Sequence, residues 1–373
     1  MPTTRQPEHE TPPRIPWFEP LFDASDADAV GQVLADAYVN EGPRTRALER
    51  QLAERFGTSF AVTTPNCTTA LALALMAAGV GAGDTVLVPD VTFIGTASAV
   101  RLAGADPILV DVEPATFTID PDAAEKRLQP NTKAILPVHL NGRPADMAGL
   151  RALAEAKGLS LLEDAAEAIG SRSEHGYLGT LSRAGCFSLA PTKIITSGQG
   201  GFVLTAEQEI RDNLVRLKDH GRLSRESDVH PVTGFNFKFT DLQAALALSQ
   251  LARLDARIER AREIDRRYLE RLEELPGLAF PERPGHGGYL MWPDFTAPDR
   301  DRLVAALAER GIVLRPFWPA LHTQPAYAQE PDLFPGATQA CAQGCWLPCA
   351  PGITDTQLDT VATAVVDFLS NRP

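Results

Sequence analysis

The chain has 373 residues, a formal charge of −13 at neutral pH, and 44% hydrophobic against 22% charged residues, the composition of a globular protein of about two domains. Its acidic balance argues against a general nucleic-acid binder, no apolar run is long enough to span a membrane, and the N-terminus lacks a charged-then-apolar leader, so a cytoplasmic protein is expected. Five cysteines, Cys67, Cys186, Cys341, Cys345 and Cys349, are odd in number and scattered, which argues against a disulfide framework.

Residues 1–14 are polar and proline-containing and read as a disordered tail. Residues 25–56 carry helical spacing, with Val30, Val33 and Leu34 in one stretch, Leu48, Leu52 and Phe56 in the next, and Gly42-Pro43 between them. From about 60 to 206, short branched-apolar runs alternate with helical segments. Strands are expected at 86–88, 107–112, 134–138, 159–162, 186–189 and 202–204, and helices at 68–78, 94–102, 121–128 and 146–157. Such alternation implies an α/β domain, a mostly parallel sheet covered by helices, with ligands at the C-terminal strand ends. Only a loop separates the last two strands, so at least one strand should run antiparallel. Residues 70–75 alternate Ala with Leu, nominally a strand period. Strong helix formers, a hydroxyl cap at Thr68 or Thr69 and a stop at Gly79 favour helix instead. The glycines at 79, 81 and 83 follow that helix and precede a strand, the reverse of a dinucleotide fingerprint, and read as a turn.

Beyond Glu207 a helix is expected to reach Arg222, and a long amphipathic helix over 241–275 bridges to a second domain. That domain should hold strands near 289–295 and 312–315 and helices at 299–310 and 355–369. Cys341, Cys345 and Cys349 recur every fourth residue. Pro348 and Gly352 interrupt any helix that would align them, and no His lies among them, so no metal site is expected.

Three stretches carry chemistry. Lys193 sits between an apolar run and the glycines at 198, 200 and 201, with Pro191 and small hydroxyls disfavouring a helix; a lysine held in a pocket there can attack a carbonyl. The segment Thr64-Pro65-Asn66-Cys67-Thr68-Thr69 opens a helix, whose free N–H groups and hydroxyls suit a phosphate. Asp164 stands at the end of an expected parallel strand, as an N-cap or as a buried carboxylate facing a protonated ring nitrogen.

These stretches, together with Thr92-Phe93, Val138-His139-Leu140-Asn141-Gly142, Glu163-Asp164-Ala165-Ala166, Ser188 and Gly234-Phe235-Asn236-Phe237-Lys238, resemble the DegT/DnrJ/StrS aminotransferase family from about residue 15 to the C-terminus. The resemblance implies the type I pyridoxal-phosphate (aspartate aminotransferase) fold, with a cofactor-binding large domain at 15–250 and a smaller α+β domain at 251–373. It implies pyridoxal 5′-phosphate as cofactor, cycling through pyridoxamine 5′-phosphate, and amination of a keto sugar, mostly nucleotide-linked, or of a keto cyclitol. Lys193 matches the lysine that anchors the cofactor and Asp164 the partner of the pyridine nitrogen. Phe93 matches the aromatic on the ring face, and Thr68 and Ser188 the phosphate-binding hydroxyls, with Cys67 and Thr69 beside them. Asn236 matches an asparagine that reaches the phosphate from a neighbouring subunit, which implies a homodimer with shared sites. Arg315 and His322, in a segment like that of perosamine-synthase-like members, and Lys238 are candidate substrate contacts. Glu167 stands where Gln or His is common near the ring oxygen, and Gln199 replaces a commoner Glu. L-Glutamate is the expected donor, with Lys193 as anchor and then proton carrier. A dehydratase of the same fold would carry His in place of Lys193, and a silent regulatory member would lack Lys193 or Asp164; both residues are present.

Overall fold

The computed structural model describes residues 14–224 and 227–370. The expected tail, apart from Arg14, lies outside the described residues. The strands in chain order are β1 (Phe60–Thr64), β2 (Thr85–Pro89), β3 (Asp106–Val110), β4 (Thr132–Ile135), β5 (Ser160–Leu161), β6 (Glu163–Asp164), β7 (Arg172–Ser173), β8 (Gly176–Tyr177), β9 (Gly185–Ser188), β10 (Gly201–Thr205), β11 (Asp294–Thr296), β12 (Arg315–Pro316) and β13 (Gly344–Trp346). The helices are α1 (Ala24–Ala35), α2 (Pro43–Phe56), α3 (Cys67–Ala77), α4 (Gly95–Leu102), α5 (Pro121–Lys126), α6 (Met147–Lys157), α7 (Gln208–Lys218), α8 (Asp241–Leu251), α9 (Leu254–Leu272), α10 (Arg300–Glu309), α11 (Pro335–Gln343) and α12 (Asp355–Ser370).

One ladder runs β3-β2-β4-β5 and another β1-β10-β9-β6. Leu162 alone separates β5 from β6, and a parallel bridge between Val138 and Asp164 carries the line of β4 onto β6, so the two ladders form one continuous sheet. Pairing is parallel except at β10, which runs antiparallel to both β1 and β9. This is the mostly parallel arrangement expected from the sequence, and the reversed strand is one of the two that only a loop separates. The C-terminal ends of β2, β4, β6 and β9 gather on one rim, where ligands bind in such sheets.

Helix α3 is the central helix. From Ala70 to Leu75 no side chain is more than 2% exposed, so it packs apolar surface on every side and its Ala-Leu alternation says nothing about which face is inward. Asn66 caps it, Oδ1 accepting the N–H of Thr69 at 2.9 Å. Gly201, at the start of β10, lets the sheet approach this end closely: a Cβ there would stand 2.6–2.7 Å from the backbone of Asn66 and Cys67.

A second, antiparallel sheet, β11-β13-β12, packs with α10, α11 and α12. The expected continuous helix over 241–275 is corrected: it breaks at Ala252-Arg253 into α8 and α9. Arg253 leaves helical register to pair with Asp23 and Asp26 of the first helix, and Arg257 donates to Leu21 O at 2.7 Å and Ile194 O at 2.9 Å. The expected division at 250/251 falls in the last turn of α8. The expected strand over 289–295 shrinks to Asp294–Thr296, because the backbone of Trp292 bonds the side chain of Asn141 on both its N–H and its C=O. Near 312–315, Ile312 bridges Ile15 and the strand proper is Arg315–Pro316. Helix α7 stops at Lys218, short of Arg222, where His220 and Gly221 both take positive φ. The sequence reading named neither β1, β13, α11 nor the β7–β8 hairpin.

Candidate active site

The strand ends and the N-terminus of α3 enclose a pocket of about 230 Å³. Of the nominated residues, Cys67, Thr68, Phe93, Asp164, Glu167, Ser188, Lys193 and Arg315 line it. Thr69, Asn236, Lys238 and His322 do not.

Lys193 sits in the turn after β9, and neighbours fix that turn. Leu189 exchanges backbone bonds with Gly200 and Ser197, Trp292 Nε1 donates to Thr192 O at 3.2 Å, and Arg257 holds Ile194 O. The lysine side chain is only 10% exposed. Its Nζ stands 3.4 Å from Oε1 of Glu167 and 4.8 Å from the centre of the Trp292 ring, so a carboxylate and an aromatic face hold the ammonium. The other oxygen of Glu167 accepts the N–H of Asn141 at 2.7 Å. Asn141 takes φ +58 and is riveted to Trp292, which ties the rim of the large sheet to the approach of the small one.

Asp164 is buried at the end of β6. Its Oδ2 accepts the hydroxyl of Thr96 at 2.8 Å, which in turn shares a bond with Thr92 Oγ1, and its Oδ1 accepts the N–H of Ala166 at 3.0 Å. Burial pushes the carboxyls of both Asp164 and Glu167 above the usual range; the Thr96 hydroxyl opposes it at Asp164, and Lys193 at Glu167. A cation brought against Asp164 would restore its ionised form. Burial also pushes the Cys67 thiol well up, which keeps it protonated and unreactive.

The first N–H groups of α3 have no intrahelical acceptor, and those of Cys67 and Thr68 join the hydroxyls of Thr68 and Ser188 on the same pocket. Gly95 keeps that corner open: a Cβ there would stand 3.0 Å from both Thr68 Oγ1 and the ring of Phe93. Thr69 turns inward instead, its hydroxyl donating to Asn66 O.

The far wall is aromatic. Trp17, Trp292 and Trp318 line the pocket, with Phe93 and Trp318 ring centres 5.7 Å apart. The guanidinium of Arg315 lies 4.7 Å over Trp17 and forms no ion pair among the described residues. Nε1 of Trp17 and of Trp318 are buried with no hydrogen-bond acceptor among the described residues. Sequence reasoning missed Trp17, Trp292, Trp318 and Thr96 as lining residues; the hydroxyls of Thr92 and Thr96, four residues apart between β2 and the first turn of α4, were a readable signal for the last.

The remaining nominees are placed elsewhere. Lys238 Nζ pairs with Asp219 at 2.9 Å, Asn236 bridges Asp219 through its backbone, and His322 is 2% exposed and bonded to Asp90. Asp90 and Phe334 cover the His322 ring, which stands behind the pocket wall.

The sequence profile of the DegT/DnrJ/EryC1/StrS aminotransferase family matches residues 20–366. GDP-perosamine synthase of Escherichia coli O157:H7 is 32% identical over 361 residues, 96% of this chain and 99% of that protein. Among solved structures, DesV of S. venezuelae, in complex with a ketimine intermediate, superposes with a TM-score of 0.91 at 33% identity, covering 97% of this chain and all of that one. The aminotransferase TlmJ of Streptoalloteichus hindustanus has a TM-score of 0.91 at 30% identity, covering 96% of this chain and 99% of its own.

Proposed function

Because the chain belongs to the DegT/DnrJ/EryC1/StrS aminotransferase family, we propose that it moves an amino group from L-glutamate to a nucleotide-linked 4-keto or 3-keto deoxysugar, with pyridoxal 5′-phosphate as cofactor. The observation that carries this reading is the meeting of Lys193, Asp164 and Glu167 in one pocket beside the N-terminus of α3.

The donor set fits the cofactor. The Cys67 and Thr68 N–H groups with the Thr68 and Ser188 hydroxyls suit a phosphate monoester, and the Gly95 corner leaves room for it. Asp164 suits the ring nitrogen, Phe93 the ring face and Lys193 the aldehyde carbon. When bound, the cofactor supplies an electron-accepting ring. Asp164 then holds the proton of that nitrogen, which restores its own charge. Lys193 Nζ, once released, takes up the proton lost from the α-carbon of the donor, being the amine tethered there. Glu167 holds the charge of that amine while it waits, 3.4 Å away. Trp17, Trp292 and Trp318 exclude water around it.

Arg315 is a cation without an ionic partner among the described residues, suited to the diphosphate of a nucleotide-linked sugar or the carboxylate of the donor. The likeness to GDP-perosamine synthase supports a nucleotide-linked sugar and makes GDP-linked keto sugars the first to try. The active unit we propose is a homodimer in which Asn236 of the partner subunit completes the phosphate site. Support comes from the absence of Asn236 from the lining of its own pocket and from exposed Leu34, Tyr38, Leu223, Val229 and Val232.

The test is spectroscopic. L-Glutamate should convert the visible absorbance of the cofactor-loaded protein, and a GDP-, dTDP- or UDP-linked keto sugar should restore it, with a keto cyclitol as the comparison. Conversion that persists in Lys193→Ala would sink the assignment.

A further inference from the structure

Asp90, at the end of β2, is fully buried and almost wholly engaged by one short segment. Its Oδ2 pairs with His322 Nδ1, its Oδ1 accepts the His322 N–H at 2.7 Å, and its carbonyl accepts the Leu321 N–H at 3.0 Å. The Asp90 N–H is itself tied to Val110 O, the last residue of β3. On the other side the imidazole stacks on Phe334 with ring centres 4.9 Å apart, and Nε2 meets Thr338 Oγ1 at 3.5 Å.

Both partners flank the pocket without entering it. Thr92, Phe93, Gly95 and Thr96 follow Asp90 directly and line the site; Arg315 and Trp318 precede His322 and line the opposite wall. Phe93 and Trp318 then meet across the gap. A buried carboxylate left without its donors costs far more than an exposed one, so the two strips are held in a single register.

We propose that the Asp90–His322 pair is a clamp that positions Arg315 and Trp318 against the bound substrate, making His322 a positioning residue for the ligand wall rather than a ligand contact. Among the described residues Asp164 meets the first strip only through the Thr96 hydroxyl, and the Asp90 N–H tied to Val110 O keeps that strip on the sheet, so loss of the clamp is felt first at Arg315 and Trp318. The kinetic arm of the test rests on the aminotransferase reading; the exchange arm does not.

The test compares His322→Leu, His322→Asn, Asp90→Asn and the double variant Asp90→Asn/His322→Leu as cofactor-loaded proteins. The first readout is the half-reaction with L-glutamate. His322→Leu and Asp90→Asn should each raise the half-saturating L-glutamate concentration about tenfold with the maximal rate changed less than about twofold, since a displacement of one wall is felt as lost positioning. The double variant should be no worse than the worse single, because the two residues form one device. His322→Asn, whose amide can donate where Nδ1 does, should restore most of the loss. The second readout is amide hydrogen exchange, in which residues 315–322 should loosen in both His322→Leu and Asp90→Asn and stay protected in His322→Asn.

A His322→Asn protein as impaired as His322→Leu beside an unaffected Asp90→Asn makes His322 a direct contact and overturns the clamp. So does a fall in maximal rate at unchanged half-saturation. If L-glutamate leaves even the unaltered protein unconverted, the donor assignment fails and exchange alone decides: matched loosening supports the clamp, and unchanged protection of 315–322 in His322→Leu refutes it.

Discussion

The carboxylate of Glu167 stands 3.4 Å from Nζ of Lys193, and its second oxygen accepts the N–H of Asn141 at 2.7 Å, so a single buried side chain links the reactive amine to the rivet between the two sheets. Burial raises the carboxyl of Glu167, and Lys193 works against that rise by favouring the ionised form.

Glu167→Gln keeps the acceptor for Asn141 and removes the charge facing Lys193. Pre-steady-state rates with L-glutamate should fall about 10²-fold, the size of a proton-transfer contribution. In the unaltered protein the rate should carry an acidic limb above the ordinary carboxylate range, where Glu167 gains its proton, and the variant should lack that limb. An unchanged limb would assign it elsewhere.

Asp164→Asn should lower the same rate by about 10²–10³-fold through loss of the charge facing the ring nitrogen. It should also alter a property of the cofactor-stripped protein. The folded-state carboxyl is raised by burial, so the folded chain binds a proton that the unfolded chain has already released. Stability is therefore fully present below the ordinary carboxylate value and is lost as pH rises through the raised one. Melting temperature measured across that window should fall less with pH in Asp164→Asn than in the unaltered protein.

Gly201→Ala should weaken cofactor retention while leaving Lys193 untouched. The added Cβ meets the backbone of Asn66 and Cys67 and must push back the N-terminus of α3, where the proposed phosphate donors lie. Faster loss of cofactor on dialysis, with the circular-dichroism spectrum of a folded chain, is the expected result.

Asp241 offers a stability test away from the chemistry. From the start of α8 its carboxylate accepts the N–H groups of Gly42, Arg44 and Thr45 and the Thr45 hydroxyl, capping α2 from another helix. Asp241→Ala strands several buried donors at once and should cost about 3 kcal/mol, above the usual helix cap; Thr45→Ala should cost about 1. Urea midpoints at constant m-value read both.

Shared sites can be read by subunit mixing. In a mixed dimer of Lys193→Ala and Asn236→Ala chains, the site that retains Lys193 receives Asn236 of the partner subunit. Activity should recover to about half that of the unaltered dimer by this site count, with no recovery if Asn236 serves its own chain.

That Lys193, Asp164 and the N-terminus of α3 share one rim was readable because each lies at a strand end or helix start, where local pattern and chemistry coincide. The helical state of the Ala-Leu run was readable from propensity although its periodicity pointed the other way. Trp17, Trp292 and Trp318 were not: each alone looks like core, and only the second sheet brings positions 17, 292 and 318 onto one wall. The break between α8 and α9 carries no Gly or Pro; distant partners of Arg253 and Arg257 make it. The pairing of His322 with Asp90, 232 positions away, was not readable from anything near either residue in sequence.

The N-terminal strap has a consequence for synthesis. Ile15 bonds Gly311 O and Val313 N–H, and Trp17 O accepts the N–H of Cys349. The strap therefore leaves the ribosome well before the partners it binds. Until Trp292, Trp318 and the second sheet have emerged, Trp17 has no wall to join, and the pocket stands open on that side although Lys193 and Asp164 were translated before. During synthesis, closure of that wall therefore waits on the segments that build the second sheet.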